Sequence, residues 1–261
     1  MYIPADGFVL NKKIEFHPAI LIPVYNHEAA IGVTLKETLQ YDCPVLLVDD
    51  GSDDLCRDVL IDLSNKYSDR VILLRLDHNS GKGAAVRAGL KTLLAEGYSH
   101  AVQIDADGQH DLSDLPDFLA TSNKHPESLV TGYPKYDGSI PKLRFYSRYL
   151  THVWVWINTL SFKICDTMCG FRVYPLVAVV KMLDHESCGD RMSFDTEVLV
   201  RWFWHDGDII NLPTAVGYPI DGISHFDVWQ DNLQITLMHT RLFFGMLRRF
   251  PHLIWRKLNA R

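Results

Sequence analysis

Residues 19–24, 44–48, 71–76 and 101–104 are short apolar runs bounded by polar turn residues, the pattern of strands buried on both faces of a parallel sheet. Between them the apolar positions take helical spacing: after Asn26 up to Gln40, then Leu55, Val59, Leu60 and Leu63, then residues 84–95. Strand and helix alternate four times, with crossovers of about 10–20 residues, which predicts an α/β fold built on a doubly wound, mainly parallel sheet with helices on both faces. Further on, residues 129–132 and 208–215 read as strands, 142–162 as a helix, and Val198, Leu199, Trp202 and Phe203 as the apolar positions of another helix. Residues 1–18 are unpatterned and predict a surface arm, and 136–139 read as a flexible loop.

Each early strand ends in a polar cluster: Tyr25 and Asn26, then Asp49 and Asp50, then Asn79 to Gly83, then Asp105-Ala106-Asp107-Gly108-Gln109. In doubly wound sheets ligands bind beyond the carboxyl ends of the strands, so four such clusters on one edge predict a binding site there. The last cluster is the most informative. Carboxylates at i and i+2 can turn toward one point where Gly108 lets the chain bend, and two hard oxygens plus an amide carbonyl suit Mg²⁺ or Mn²⁺. Read alone, D-x-D is more often a polar turn, with Asp111 or Ser113 capping the helix that begins near Leu112. Two successive acids at Asp49 and Asp50 exceed the needs of a helix cap. Lys82, between two glycines ahead of a helix, suits phosphate as well as it suits a solvated turn. Neither a Walker A loop nor a G-x-G-x-x-G turn after the first strand is present.

Composition narrows the classes. The 261 residues are 47% hydrophobic, enough for one large α/β domain or two small ones, and the net charge of −6 argues against a nucleic-acid partner. Five scattered cysteines do not form a disulfide framework and suit a reducing, cytosolic setting. No apolar run is long enough to span a bilayer and no leader pattern opens the chain, so the expectation is a protein that neither crosses a membrane nor is exported by a classical signal.

Pro23-Val24-Tyr25-Asn26, Val48-Asp49-Asp50-Gly51-Ser52, Gly81-Lys82-Gly83 and Asp105-Ala106-Asp107-Gly108-Gln109, in that order, resemble the family 2 glycosyltransferases of GT-A fold. Within that family they are most similar to the dolichyl- and polyprenyl-phosphate sugar synthases. The resemblance covers roughly residues 18–225. It implies that Pro23, Tyr25, Asn26, Asp50, Lys82, Asp105 and Ala106 hold a nucleotide-diphosphate sugar, and that Asp107 and Gln109 hold Mg²⁺ or Mn²⁺. His27 and Glu28 depart from the family pattern, in which an acid often follows Tyr-Asn directly.

In the second half, Asp166-Thr167-Met168-Cys169-Gly170-Phe171-Arg172 resembles the family's D-x-x-x-G-F-R segment, and Phe194-Asp195-Thr196-Glu197 its F-D-x-E segment. By that likeness Asp195, Asp107 and Arg172 belong to the catalytic site, while a salt bridge of Arg172 to Asp166 and a capping role for Asp195 are the competing readings. Arg144 and Arg148 are i, i+4 neighbours that can clamp an anion, and by resemblance they and His225, which stands where lysine is usual, bind the acceptor phosphate. The implied activity is inverting, metal-dependent sugar transfer to a lipid-linked or membrane-proximal acceptor. A soluble or polysaccharide acceptor, and a non-catalytic nucleotide-sugar or membrane-binding module, are the alternatives.

Residues 241–261 carry six bases and no acid, leaving −12 on the rest of the chain. Large apolar residues interleave them, which predicts a domain spanning 1–226 and an amphipathic helical segment over 227–261. That composition suits a helix lying on the inner face of an anionic membrane, and equally a core-packed helix with a solvated basic face.

Overall fold

The computed structural model describes residues 15–135, 142–217 and 228–259, without the side chains of 142–147 and 228–232. Seven strands form one sheet in the order β3-β2-β1-β4-β6-β5-β7. The first half is β1 (Pro18–Val24), α1 (Glu28–Thr38), β2 (Val45–Asp49), α2 (Asp54–Lys66), β3 (Val71–Arg75), α3 (Lys82–Ala95) and β4 (His100–Gln103). The second half is α4 (Leu115–Lys124), β5 (Leu129–Lys135), α5 (Lys142–Thr159), β6 (Arg172–Pro175), α6 (Leu176–His185), α7 (Phe194–Trp204), β7 (Ile209–Ala215) and α8 (Val228–Asn259).

β1 lies at the centre, parallel to β2 and β4, and is buried along almost its whole length. Alternate residues leave opposite faces: Ile20, Ile22 and Val24 pack with Ile31, Leu35, Leu60 and Phe118 from α1, α2 and α4, whereas Ala19 and Leu21 pack with Val86 and Leu90 of α3 and with residues of α6 and α7. Helices therefore cover both faces, as the alternation predicts. Pro23 interrupts no ladder, because β4 pairs with β1 only as far as Leu21 and Pro23 faces Val48 of β2. The α2 cap is Asp53, which accepts from Cys56 N at 3.0 Å, and Asp111 caps the 3₁₀ turn before α4, accepting from Ser113 N at 3.0 Å.

β6 and α6 are not foreseen in the sequence. β6 runs antiparallel between β4 and β5, with Gln103 opposite Arg172 and Val102 opposite Val173. Its direction matters for the site, because the first residue of an antiparallel strand stands at the edge where its parallel neighbours end.

α8 is docked on the domain rather than standing apart from it. Met238, Leu242, Met246 and Leu253 are buried in the same cluster as Val155, Phe203 and Trp204. Three of its bases point inward: Arg241 pairs with Glu197 at 3.2 Å, Arg249 with Glu186 at 2.9 Å while lying over the Trp204 ring, and Arg256 donates to Phe203 O at 2.6 Å. The outward face keeps Leu237, Phe244, Leu247, Trp255 and Leu258 exposed. The sequence leads one to expect bases outward on the docked helix; the structure turns three of its five bases toward domain acids and leaves an apolar stripe facing out.

Glu186 clamps this helix in a pH-dependent way. A hydrogen bond from His205, reinforced by Arg201 and Arg249 against the opposing effect of burial, pulls its carboxyl down to about 2 from an ordinary 4.5. A depressed carboxylate pKa contributes stability that is full above the unfolded value and lost as pH falls through the folded one. Acid titration should therefore loosen α8 between about pH 4.5 and pH 2, read as a change in tryptophan fluorescence, and Glu186→Gln should remove that transition.

Candidate active site

The loops at the carboxyl edge of β1, β2 and β4 and the start of β6 meet the first turns of α3 and α7. Lys82 opens α3 after Gly81, whose φ of +98° is open to glycine at little cost. Its ammonium reaches Asp105 Oδ1 at 2.7 Å and Asp195 Oδ2 at 2.9 Å, joining the end of β4 to the start of α7. Burial opposes its charge, but the two carboxylates outweigh that, and Lys82 is held protonated well above its ordinary value. Asp105 is correspondingly held well below the carboxylate range: burial acts against its charge, and Lys82 and then His110, 3.4 Å from Oδ2, more than offset it.

Asp107 is the contrasting member. It is half-buried, and burial together with the charge of Asp105 raises its pKa. Its protein partners are the backbone N–H of Gln109 at 3.1 Å and the Gln109 side-chain amide at 2.5 Å, and among the described residues no basic side chain pairs with it. An underneutralised carboxylate beside a charged one, with the amide NH₂ of Gln109 already turned to Asp107 and its carbonyl left over, fits a hard divalent cation. Among the described residues no three His, Cys, Asp or Glu side chains form a metal cage, so a cation here would draw its remaining ligands from water and substrate phosphate.

Asp195 is fixed from below. Arg172 is fully buried and donates to the carbonyls of Thr167 (2.7 Å), Cys169 (2.9 Å) and Asp195 (2.7 Å), with Asp195 Oδ1 at 3.6 Å. Gln103 Nε2 stands 3.5 Å from the same oxygen and Tyr174 OH donates to Gln103 Oε1 at 2.9 Å. Arg172 is thus a positioning residue under the site. Gly170 lies against the site too: a Cβ there would stand 2.2 Å from Asp105 Oδ2. Gly170→Ala should displace Asp105 and weaken nucleotide-sugar binding by about tenfold while the far-UV circular dichroism is unchanged, with calorimetry as the readout.

The other residues expected to hold the nucleotide lie at the same edge, several with structural duties. Both oxygens of Asp50 accept backbone N–H groups, from Ser80 and Gly81, each at 2.8 Å, so it fixes the loop that presents Lys82; burial nevertheless raises its pKa. Asn26 links the β1 and β2 loops by accepting from Asp53 N at 2.9 Å, and its own N–H donates to Ser52 Oγ at 3.1 Å. Tyr25 is half-buried beside it, Pro23 ends β1, and buried Ala106 accepts at its carbonyl from Thr34 Oγ1 at 3.2 Å. Arg148 forks onto Asp166 at 2.6 and 2.8 Å, and His152 adds a third contact at 3.1 Å. Asp166 therefore pairs with Arg148, and the alternative pairing with Arg172 does not form. Arg144 lies on α5 with its side chain outside the described residues, as do the whole of His225 and the 136–139 loop. His110, Gly170, Gln103 and Tyr174 are site residues that sequence reasoning misses. Gln103 carried a signal, as a polar residue inside an apolar strand.

This fold, with its polar edge and paired carboxylates, is that of the GT-A glycosyltransferases. The chain belongs to glycosyl transferase family 2, whose model matches residues 19–187. A Methanocaldococcus jannaschii protein of unassigned function is 32% identical over 211 residues, 78% of this chain and 90% of that one. The dolichyl-phosphate beta-glucosyltransferase of Mus musculus is 31% identical over 209 residues, 69% of this chain and 61% of that one, so the chain spans about three-fifths of that relative's length. Among solved structures, glucosyl-3-phosphoglycerate synthase from Mycobacterium tuberculosis, in complex with Mn²⁺, uridine-diphosphate-glucose and glycerol 3-phosphate, superposes with a TM-score of 0.58 at 17% identity, covering 89% of this chain and 79% of that one.

Proposed function

We infer that this glycosyltransferase moves a sugar from a nucleotide diphosphate to the phosphate of a polyprenyl-type lipid. The observation that carries the reading is the charge arrangement at the sheet edge: among the described residues no basic side chain pairs with Asp107, while Asp105 and Asp195 share Lys82. Asp107 and Gln109 would hold Mg²⁺ or Mn²⁺, which when bound neutralises the charge that develops on the departing diphosphate. The loops fixed by Asp50 and Asn26 seat the nucleotide, and Lys82 holds Asp105 and Asp195 as a rigid floor beneath the sugar. An acceptor phosphate oxygen attacks the anomeric carbon as the bond to the diphosphate breaks, inverting that carbon. Because the acceptor is already an anion, no proton has to be removed, which suits an Asp195 engaged by Lys82 and Arg172 rather than free as a base.

Lipid acceptors call for a place at a membrane. No helix among the described residues is long and apolar enough to cross one. The outward stripe of α8 suits peripheral binding at the cytoplasmic face instead. The test is transfer of labelled sugar from a panel of nucleotide sugars to prenyl phosphate in vesicles, with Mg²⁺ or Mn²⁺. Label should enter an organic-extractable, acid-labile product; label entering only a soluble glycan would overturn the reading.

A further inference from the structure

A groove of about 520 Å³ opens between the 189–193 loop and α8, lined by Gly189, Arg191, Ser193, Leu237, Thr240 and Arg241. One wall is held rigidly. Arg87 of α3 pairs with Asp190 at 2.9 Å and donates to Cys188 O at 2.9 Å, and Ala84 N donates to Asp190 O at 3.0 Å. That wall presents Arg191, which is exposed, whose side chain makes no hydrogen bond or ion pair among the described residues though its charge reaches Asp50, and which runs so close to Gly81 that a Cβ there would meet its Cγ at 2.7 Å. The other wall presents Arg241, whose side chain is 57% exposed and which meets Glu197 through one nitrogen, leaving its other N–H groups to the groove.

The lip of the groove is apolar. Leu237 is 54% exposed and Met192, beside Arg191, is 39% exposed. Leu237 also belongs to the outward stripe of α8, so the groove and the stripe are continuous. Two arginines from opposite walls match a phosphate monoester, which accepts forked N–H donors, and the apolar lip matches an alkyl chain leaving it. On α5, by contrast, the Arg148 fork is already taken by Asp166.

We propose that this groove is the seat of the acceptor: Arg191 and Arg241 grip a phosphate monoester while Leu237 and Met192 guide its apolar chain onto α8. The proposal rests on the lipid-phosphate reading of the reaction. It places the acceptor phosphate on the α3–α7 side of the sheet edge, at Arg191, four residues before Asp195 and against the Gly81 turn of the donor loops.

The test uses the full chain with its divalent cation, a nucleotide sugar that it turns over, and two acceptors: a long prenyl phosphate in phosphatidylcholine vesicles and a water-soluble short-chain alkyl phosphate. Arg191→Gln should raise KM about tenfold or more for both acceptors and change the donor KM less than twofold. Leu237→Asn, at an exposed position, should raise KM for the long-chain acceptor only. Binding of both acceptors without donor is measured in parallel, with inorganic phosphate as competitor. If inorganic phosphate displaces both equally and Leu237→Asn changes nothing, the groove is a free-phosphate site and the lipid seat is overturned. If the wild type transfers sugar to prenyl phosphate but Arg191→Gln leaves both acceptor KM values unchanged, the seat is wrong and the reaction stands. If no transfer occurs but prenyl phosphate binding falls with Arg191→Gln, the seat stands and the reaction is wrong.

Discussion

Asp107→Asn should lower sugar turnover by about 10²–10³-fold while leaving the protein as stable as the wild type, or slightly more so. Both halves follow from its surroundings. The amide keeps an oxygen that can accept from Gln109 N, so the turn persists. Removing the charge ends its repulsion with Asp105, the effect that, after burial, raises the Asp107 pKa. What the amide cannot supply is a full negative charge toward a hard cation. Thermal melting with and without Mn²⁺ plus nucleotide sugar separates the two effects: the variant should match the wild type alone and lose the upward shift on adding both. Full wild-type activity in excess chelator, or unimpaired turnover by the variant, would contradict the role given to Asp107.

Arg172→Leu should cost about 3–5 kcal/mol of folding stability, lowering the melting temperature by roughly 10 °C. The side chain is fully buried, and its loss strands three carbonyls, of Thr167, Cys169 and Asp195, without their donor. It also leaves Asp195 with Lys82 as its remaining basic partner among the described residues. Arg172→Lys keeps the charge without the fork that spans those carbonyls, and should recover less than half of the loss. Denaturant titration of both variants measures this. Unchanged stability together with lost donor affinity would instead mean that Arg172 touches substrate.

The sequence makes the strands of the first half legible because β1 and β2 are nearly continuous apolar runs, and such runs read as buried parallel strands whatever surrounds them. Once those strands are placed, the polar clusters after them have one edge to occupy. β6 has only four residues, begins with a charge and ends with proline, so nothing in Arg172-Val173-Tyr174-Pro175 distinguishes a strand; its identity comes from being wedged between β4 and β5. Asp50 reads from the sequence as a nucleotide ligand, but its carboxylate accepts from Ser80 and Gly81, residues 30 and 31 positions later that only the folded loop brings near. The inward bases of α8 are hidden for the same reason, since their partners Glu186, Glu197 and Asp206 are remote in the chain.

The reversed direction of β6 also bears on how the molecule comes together. It ties the first half of the chain to the second by setting Arg172 opposite Gln103, and Gln103 in turn reaches Asp195 of α7, 92 residues away. Contacts of that span close late, because the entropy of bringing distant segments together is spent before they yield anything. The Lys82 bridge between Asp105 and Asp195 therefore works as a clasp that shuts only when both halves are in place. Turnover then reports on the entire fold: refolding followed by catalysis should lag behind refolding followed by secondary structure, and no intermediate holding only the first half should transfer sugar.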